Sequence, residues 1–125
     1  MTNCDRPTVL VVEDEFIVAL DVSETVRDLG FAVDGPYART AHALAAVDKA
    51  LPSLAILDVN TADGEVYPLA DRLSGAGIPI IFHSGHISAE EIAERYPAAG
   101  ACIKPCPPGN LVTMIDTVRS KAHAA

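Results

Sequence analysis

Five polar residues with chemical potential stand directly after, or close, short apolar runs. Glu13 and Asp14 follow "TVLVV" (8–12), and Asp58 follows "LAIL" (54–57). Ser84 closes "IPIIFHS" (78–84), and Lys104 follows "ACI" (101–103). Gathered carboxylates repel one another, and a hard cation relieves that cost. Magnesium suits such a set, taking one or two carboxylates, a carbonyl, waters and a phosphate oxygen. Asp14 and Asp58 are the expected direct ligands. Glu13 is longer and would act directly or through water, and the backbone carbonyl of Asn60 is a further donor. A carboxylate is also a nucleophile toward phosphorus, giving an aspartyl phosphate. The metal and Lys104 would then neutralise charge on the moving phosphoryl group, and the Ser84 hydroxyl would bond one of its oxygens. Taken singly, each residue has an ordinary reading. Asp58 could begin a turn, Asp14 could cap a helix, and Lys104 could be a surface cation.

The elements that must position these residues alternate regularly. "TVLVV" is a β-branched run of the kind found in strands buried on both faces. Residues 15–30 form a helix with an apolar stripe of Val18, Val22, Val26 and Leu29, stopped by Gly30. Residues 31–37 are a weaker strand, and Gly35-Pro36 confines it to an edge because Pro lacks the ladder donor. The helix over 39–51 has Thr40 as its expected N-cap, and the one over 65–75 has Pro68 in its first turn. The helix over 88–97 opens on Ser88 with Glu91 three residues on, a capping box. A short strand (101–103) and a helix (108–124) complete the chain. Five β-α units imply an α/β fold with a parallel sheet covered by helices on both faces. In such a sheet active groups collect at the carboxyl ends of the strands. Glu13, Asp14, Asp58, Ser84 and Lys104 all stand there.

The chain has 125 residues, half of them hydrophobic, and suits one domain. Its formal charge of −8 opposes binding to nucleic acid or to an anionic membrane. No apolar run approaches the length of a membrane span, and "MTNCDRP" shows no signal peptide, so a cytoplasmic location is expected. Cys4, Cys102 and Cys106 are odd in number. Cys102 and Cys106 could form a redox pair, but free thiols are the expectation, since disulfides are rare in the cytosol.

From "VLVVEDE" to "CIKP" and the last helix, the sequence resembles the response-regulator receiver domain of two-component signalling. The resemblance implies a (βα)5 flavodoxin-like fold, with five parallel strands in the order 2-1-3-4-5. It implies one receiver domain over residues 1–125 and no effector domain. It makes Glu13 and Asp14 the acidic pair, Asp58 the phosphoacceptor, Ser84 the switch hydroxyl and Lys104 the site lysine, with a cis Lys104–Pro105 bond. The phosphodonor would be a phosphohistidine on a histidine kinase or histidine phosphotransfer protein. Catalysis would be limited to self-phosphorylation and autodephosphorylation. Output would run to a protein partner across the face made by the fourth helix, fifth strand and fifth helix.

The sequence departs from the usual pattern in two places. "DVNTADG" lacks the Met-Pro that usually follows the acceptor, and Ala101 stands where an aromatic switch residue is usual. "PIIFHSGH" (79–86) resembles the "PFxFATGY" signature of an alphaproteobacterial subgroup of stand-alone receivers, which also lacks that aromatic. Pro79, Phe82 and Gly85 match, Ser84 replaces Thr, and His86 replaces Tyr. His86 would overlook the phosphoryl group and help to set its lifetime, because imidazole titrates near neutral pH. One alternative is a receiver-fold interaction module that signals without phosphorylation, supported by Ala101 and the altered loop. Another is a phosphatase of the haloacid dehalogenase type, which needs a second Asp where Asn60 stands.

Overall fold

The computed structural model describes residues 7–85, 89–104 and 106–124, with the backbone alone for Ser84, Ala89 and residues 121–124. Strands β1 (Thr8–Val12), β2 (Ala32–Tyr37) and β3 (Leu54–Leu57) alternate with helices α1 (Phe16–Asp28) and α2 (Thr40–Lys49). Two short strands follow, β4 (Asn60–Thr61) and β5 (Gly64–Glu65), and then α3 (Tyr67–Gly75). β6 (Ile80–Ser84), α4 (Ala89–Arg95), β7 (Gly100–Ile103) and α5 (Pro108–Ala124) complete the order. The main sheet is parallel, in the order β2-β1-β3-β6-β7. This is the flavodoxin-like order, with the Gly35-Pro36 strand at one edge as expected.

The alternation of side chains along each strand divides the core in two. Leu10, Val12, Ala55, Leu57 and Phe82 pack with Val47 of α2, Leu69 and Leu73 of α3 and Ile92 of α4. Val9, Val11, Leu54, Ile56 and Ile81 face the other way, toward Val22 and Val26 of α1 and Leu111 and Ile115 of α5. β3, and β1 after Thr8, are apolar because both of their faces are covered. Each fully buried Val, Leu or Ile contributes about 1.5–3 kcal/mol. That supply lets polar groups be held at the strand ends.

The register sets the row of end residues. Val12 faces Leu57, Leu57 faces Phe82, and Phe82 faces Ala101. One step on, Glu13, Asp58, His83 and Cys102 therefore form the next row. The Asp58 amide donates to the Val12 carbonyl at 2.9 Å, carrying the β1–β3 ladder to that row. On the other side of β1 the register slips between Leu10 and Val12. The slip lies at Gly35, whose φ is +115° and where a Cβ would stand 2.7 Å from the Val11 carbonyl oxygen. It brings the Tyr37 carbonyl to the Glu13 amide at 2.8 Å, so the bulge anchors the first acidic residue.

Some local expectations are corrected. The buried residues of α1 are Ala19, Val22, Ser23 and Val26, while Leu29 is 42% exposed. Leu29 is the C-cap, and the chain turns at Gly30 (φ +96°). The Gly30 amide then donates to Arg27 and the Phe31 amide to Val26, a Schellman closure that puts Phe31 in the core where Leu29 was expected. Thr40 is not an N-cap but the first residue of α2, after Arg39. The cap comes from Asp63, whose two carboxylate oxygens accept the Thr40 and Ala41 amides at 2.7 and 3.1 Å. Asp63 sits at the tip of the β4–β5 hairpin, which was not foreseen. The Thr40 and Thr61 hydroxyls, 2.9 Å apart, and the Ala62 amide on the Ala38 carbonyl tie that hairpin to α2. Pro68 lies in the first turn of α3, as read. Ser88 and Pro105 lie outside the described residues, and with them the capping box and the Lys104–Pro105 bond.

Cys102 and Cys106 are joined by a disulfide, which corrects the expectation of free thiols. The turn after β7 brings their Cα atoms to 6.0 Å, within the span that a disulfide bridges.

Two outcomes are expected from this account. Gly35→Ala places a Cβ against backbone at a positive φ and should lower stability by about 1–3 kcal/mol in chemical denaturation. An unchanged midpoint would remove the bulge from the account of the site. The second concerns Asp63, held down to about 2 by the Ala41 and Thr40 amides and the Thr61 hydroxyl. Its pKa is depressed on folding, so its stabilisation is present above the unfolded value of about 3.9 and is lost as pH falls through the folded one. Asp63→Asn should melt below the parent at neutral pH, and the gap should close between about pH 4 and 2. A gap that does not vary with pH, followed by circular dichroism, would show that the charge does not cap α2.

Candidate functional site

Each acidic residue reaches the site as the end of an apolar strand. Glu13 and Asp58 are buried, at 4% and 5% exposure, whereas Asp14 is exposed. Glu13, Asp14 and Asp58 each offer a carboxylate oxygen, and these atoms lie within 4.8 Å of one another. The structure therefore brings together the three acids that the sequence singled out. Lys104 reaches across from the end of β7. Its ammonium donates to Glu13 Oε2 at 3.0 Å, to Glu15 Oε1 at 2.9 Å and to Asp58 Oδ2 at 3.3 Å.

Asn60 is placed by the hairpin. Its amide donates to Asp58 Oδ1 at 3.3 Å. The Val66 amide donates to the Val59 carbonyl, so the alternation of an antiparallel pair makes Asn60 and Glu65 the pair without mutual hydrogen bonds. The Asn60 carbonyl thus takes no part in the ladder, as a ligand carbonyl requires. Ser84 ends β6 opposite Ile103, and its side chain is not among those described. His86 lies outside the described residues.

The electrostatics divide the two buried acids. Burial pushes the Glu13 carboxyl up, but His83, Lys104 and the Glu15 amide outweigh it and hold the group at about 2. Burial raises Asp58, and the ionised Glu13 beside it raises it further, to about 7, against the pull of Lys104. Burial lowers Lys104, but Glu15, Glu13 and Asp58 more than reverse this and raise it above the ordinary lysine value. Three carboxyl groups, those of Glu13, Glu15 and Asp58, thus contact one ammonium.

This donor set fits a hard divalent cation. Glu13 Oε1 is buried and accepts no hydrogen bond. It lies 2.9 Å from the Lys104 ammonium, a contact of charge without hydrogen-bond geometry, and 3.6 Å from His83 Nδ1. A buried carboxylate oxygen in that condition, beside two more carboxylates, is a set of hard oxygen ligands.

Glu15 and His83 were not foreseen as partners in the site. Glu15 is the third acid of the run "EDE", and its amide donates to Glu13 Oε2 at 3.1 Å while its carboxylate holds Lys104. His83 is buried at 4% exposure in the row of Glu13 and Asp58. Counting one step beyond the facing strand residues would have found it.

No family model matches the chain. It is 30% identical over 111 residues to the phyllosphere-induced regulator PhyR of Methylorubrum extorquens, covering 86% of this chain and 42% of that protein. The chain spans about half the length of the curated relatives it matches. Among solved structures it is similar to a response regulator receiver protein from Sinorhizobium medicae, with 25% identity, TM-score 0.83, and 96% and 99% of the two chains covered. It is also similar to the Vibrio cholerae chemotaxis protein CheY4, with 28% identity, TM-score 0.77, and 90% and 98% covered. Shared topology over nearly the whole of both chains joins an acidic pocket at the expected strand ends, and the protein is a response-regulator receiver domain.

Proposed function

We propose that this receiver takes a phosphoryl group from a phosphohistidine onto Asp58 and signals by protein contacts. The observation that carries this reading is the convergence of Glu13, Asp14 and Asp58 with the Lys104 ammonium 3.3 Å from Asp58. Glu13, Asp14, Asp58 and the Asn60 carbonyl would hold magnesium. When bound, the ion would screen the carboxylates, favour the ionised Asp58 and draw charge from the phosphoryl oxygens.

A carboxylate oxygen of Asp58 attacks phosphorus as the phosphorus–nitrogen bond to the donor imidazole breaks, and the imidazole leaves with that electron pair. Lys104 already contacts Asp58, so its charge meets the arriving phosphoryl oxygens without a large movement. The Ser84 hydroxyl bonds a phosphoryl oxygen, and His86 bears on the attack of water that later releases phosphate. Glu13 and Glu15 position Lys104. Phe16 and Ile17, 70% and 69% exposed at the start of α1, give apolar surface beside the pocket where a donor protein must approach. Output is assigned to the α4–β7–α5 face, where Ile103 is 57% exposed. A cytoplasmic location accords with this reading.

Ala101 favours one second reading, a receiver that works through binding alone. Labelling decides between them. Acetyl phosphate with magnesium should add one phosphoryl group to the parent protein, read by intact mass, and none to Asp58→Asn. Labelling retained in that variant would overturn the assignment. Asp14→Asn should weaken magnesium binding at least about tenfold, the loss of about 1.4 kcal/mol. The chain has no Trp, so calorimetry or amide shifts are the suitable readout. Unchanged affinity would remove Asp14 from the ligand set.

A further inference from the structure

We propose that Cys102 and Cys106 are a reversible thiol–disulfide couple that sets the position of Lys104 and, through it, the reactivity of Asp58. The second half rests on the reading of Asp58 as phosphoacceptor.

The pair brackets the site lysine, with one cysteine two residues before Lys104 and the other two residues after it. The disulfide that joins them ties both sides of Lys104 to the same point of the fold. That point is firm. Cys102 is 7% exposed, stands opposite His83 in the sheet and packs with Leu111 and Ile115 of α5. Lys104 is less deeply buried, its side chain 16% exposed. What holds it is the set of contacts to Glu13, Glu15 and Asp58 at the tip of a long, rotatable side chain. Opening the disulfide frees the backbone under that side chain, and the catalytic geometry loosens with it.

The couple is also reachable. Cys106 is half-buried and lines two surface grooves, one between α1 and α5 with Val18 and Leu111, the other beside β7 with Ile103 and Asn110. A small disulfide, RSSR, is the oxidant. The Cys106 thiolate attacks one of its sulfurs and the first RS⁻ leaves. The Cys102 thiolate then attacks the Cys106 sulfur of the mixed disulfide, and the second RS⁻ leaves. The two protein thiols lose two electrons and two protons, and RSSR becomes two RSH. Disulfides in reducing compartments are typically transient and redox-sensing, which suits a switch better than a staple.

The test uses the full chain carrying Cys4→Ser, equilibrated in reduced or oxidised glutathione. Intact mass after alkylation reads the thiol state. Brief acetylation of amines, mapped by peptide mass, reads the accessibility of Lys104. Acetyl phosphate with magnesium reads Asp58. Oxidised glutathione should form the Cys102–Cys106 disulfide. Reduction should lower the rate of Asp58 labelling roughly tenfold and raise acetylation of Lys104 by a similar factor. Cys106→Ser and Cys106→Ala should both show the reduced behaviour in either buffer. Free thiols in oxidised glutathione, or a disulfide that leaves Lys104 acetylation unchanged, would overturn the proposal. If Asp58 takes no phosphoryl group in either state, the phosphoacceptor reading fails, while thiol mass and Lys104 acetylation still decide the couple.

Discussion

The ammonium of Lys104 is the contact around which the strand ends are arranged. A parallel sheet with the same residue type at the ends of adjacent strands accumulates like charge, and here Glu13 and Asp58 do so with little solvent to screen them. The repulsion appears as a division of roles. Glu13 keeps its charge against His83 and Lys104, and Asp58 is pushed toward its neutral form. Without the lysine both buried acids would lack their main counter-charge, and removal of one partner from a buried pair is strongly destabilising. With it, the site still carries an excess of acid, because one ammonium meets Glu13, Glu15 and Asp58 while Asp14 lies beside two of them. The pocket is therefore folded but electrostatically unfinished, a condition that binding of a hard cation and a phosphoryl group can exploit.

Much of this was legible in the sequence. Apolar runs that end on charge gave the strands and also named the site, since the register needs only to align the ends of β1 and β3 for Glu13 and Asp58 to meet. Gly35-Pro36 placed β2 at an edge through the chemistry of proline. What was not legible depended on partners remote in sequence. Thr40 has the side chain of a cap, but its position lost to Asp63, a carboxylate 23 residues away. The β4–β5 hairpin has two residues in each strand, too few for any periodicity. The disulfide depends on the turn after β7 bringing Cys102 and Cys106 to 6.0 Å, which spacing alone does not establish.

The same limits bear on how a change at Asp58 would travel. Ala101 faces Phe82 across the sheet and offers no ring to rotate. The aromatic mass lies instead on α3 and at the end of α4. Tyr96 packs 5.1 Å from Phe82 and stacks at 6.3 Å on Tyr67, and its hydroxyl donates to Asp71 at 2.6 Å. Arg95 lies 4.1 Å over the Tyr67 ring and 3.8 Å from Asp71. The end of α4 is thereby fastened to α3. Phe82 stands two residues before Ser84 on β6 and packs on Tyr96, so the strand that ends on Ser84 touches the ring that fastens α4. The buried Tyr96 ring thus joins the end of β6 to α3 and α4 by packing, a contact that needs no aromatic side chain at position 101.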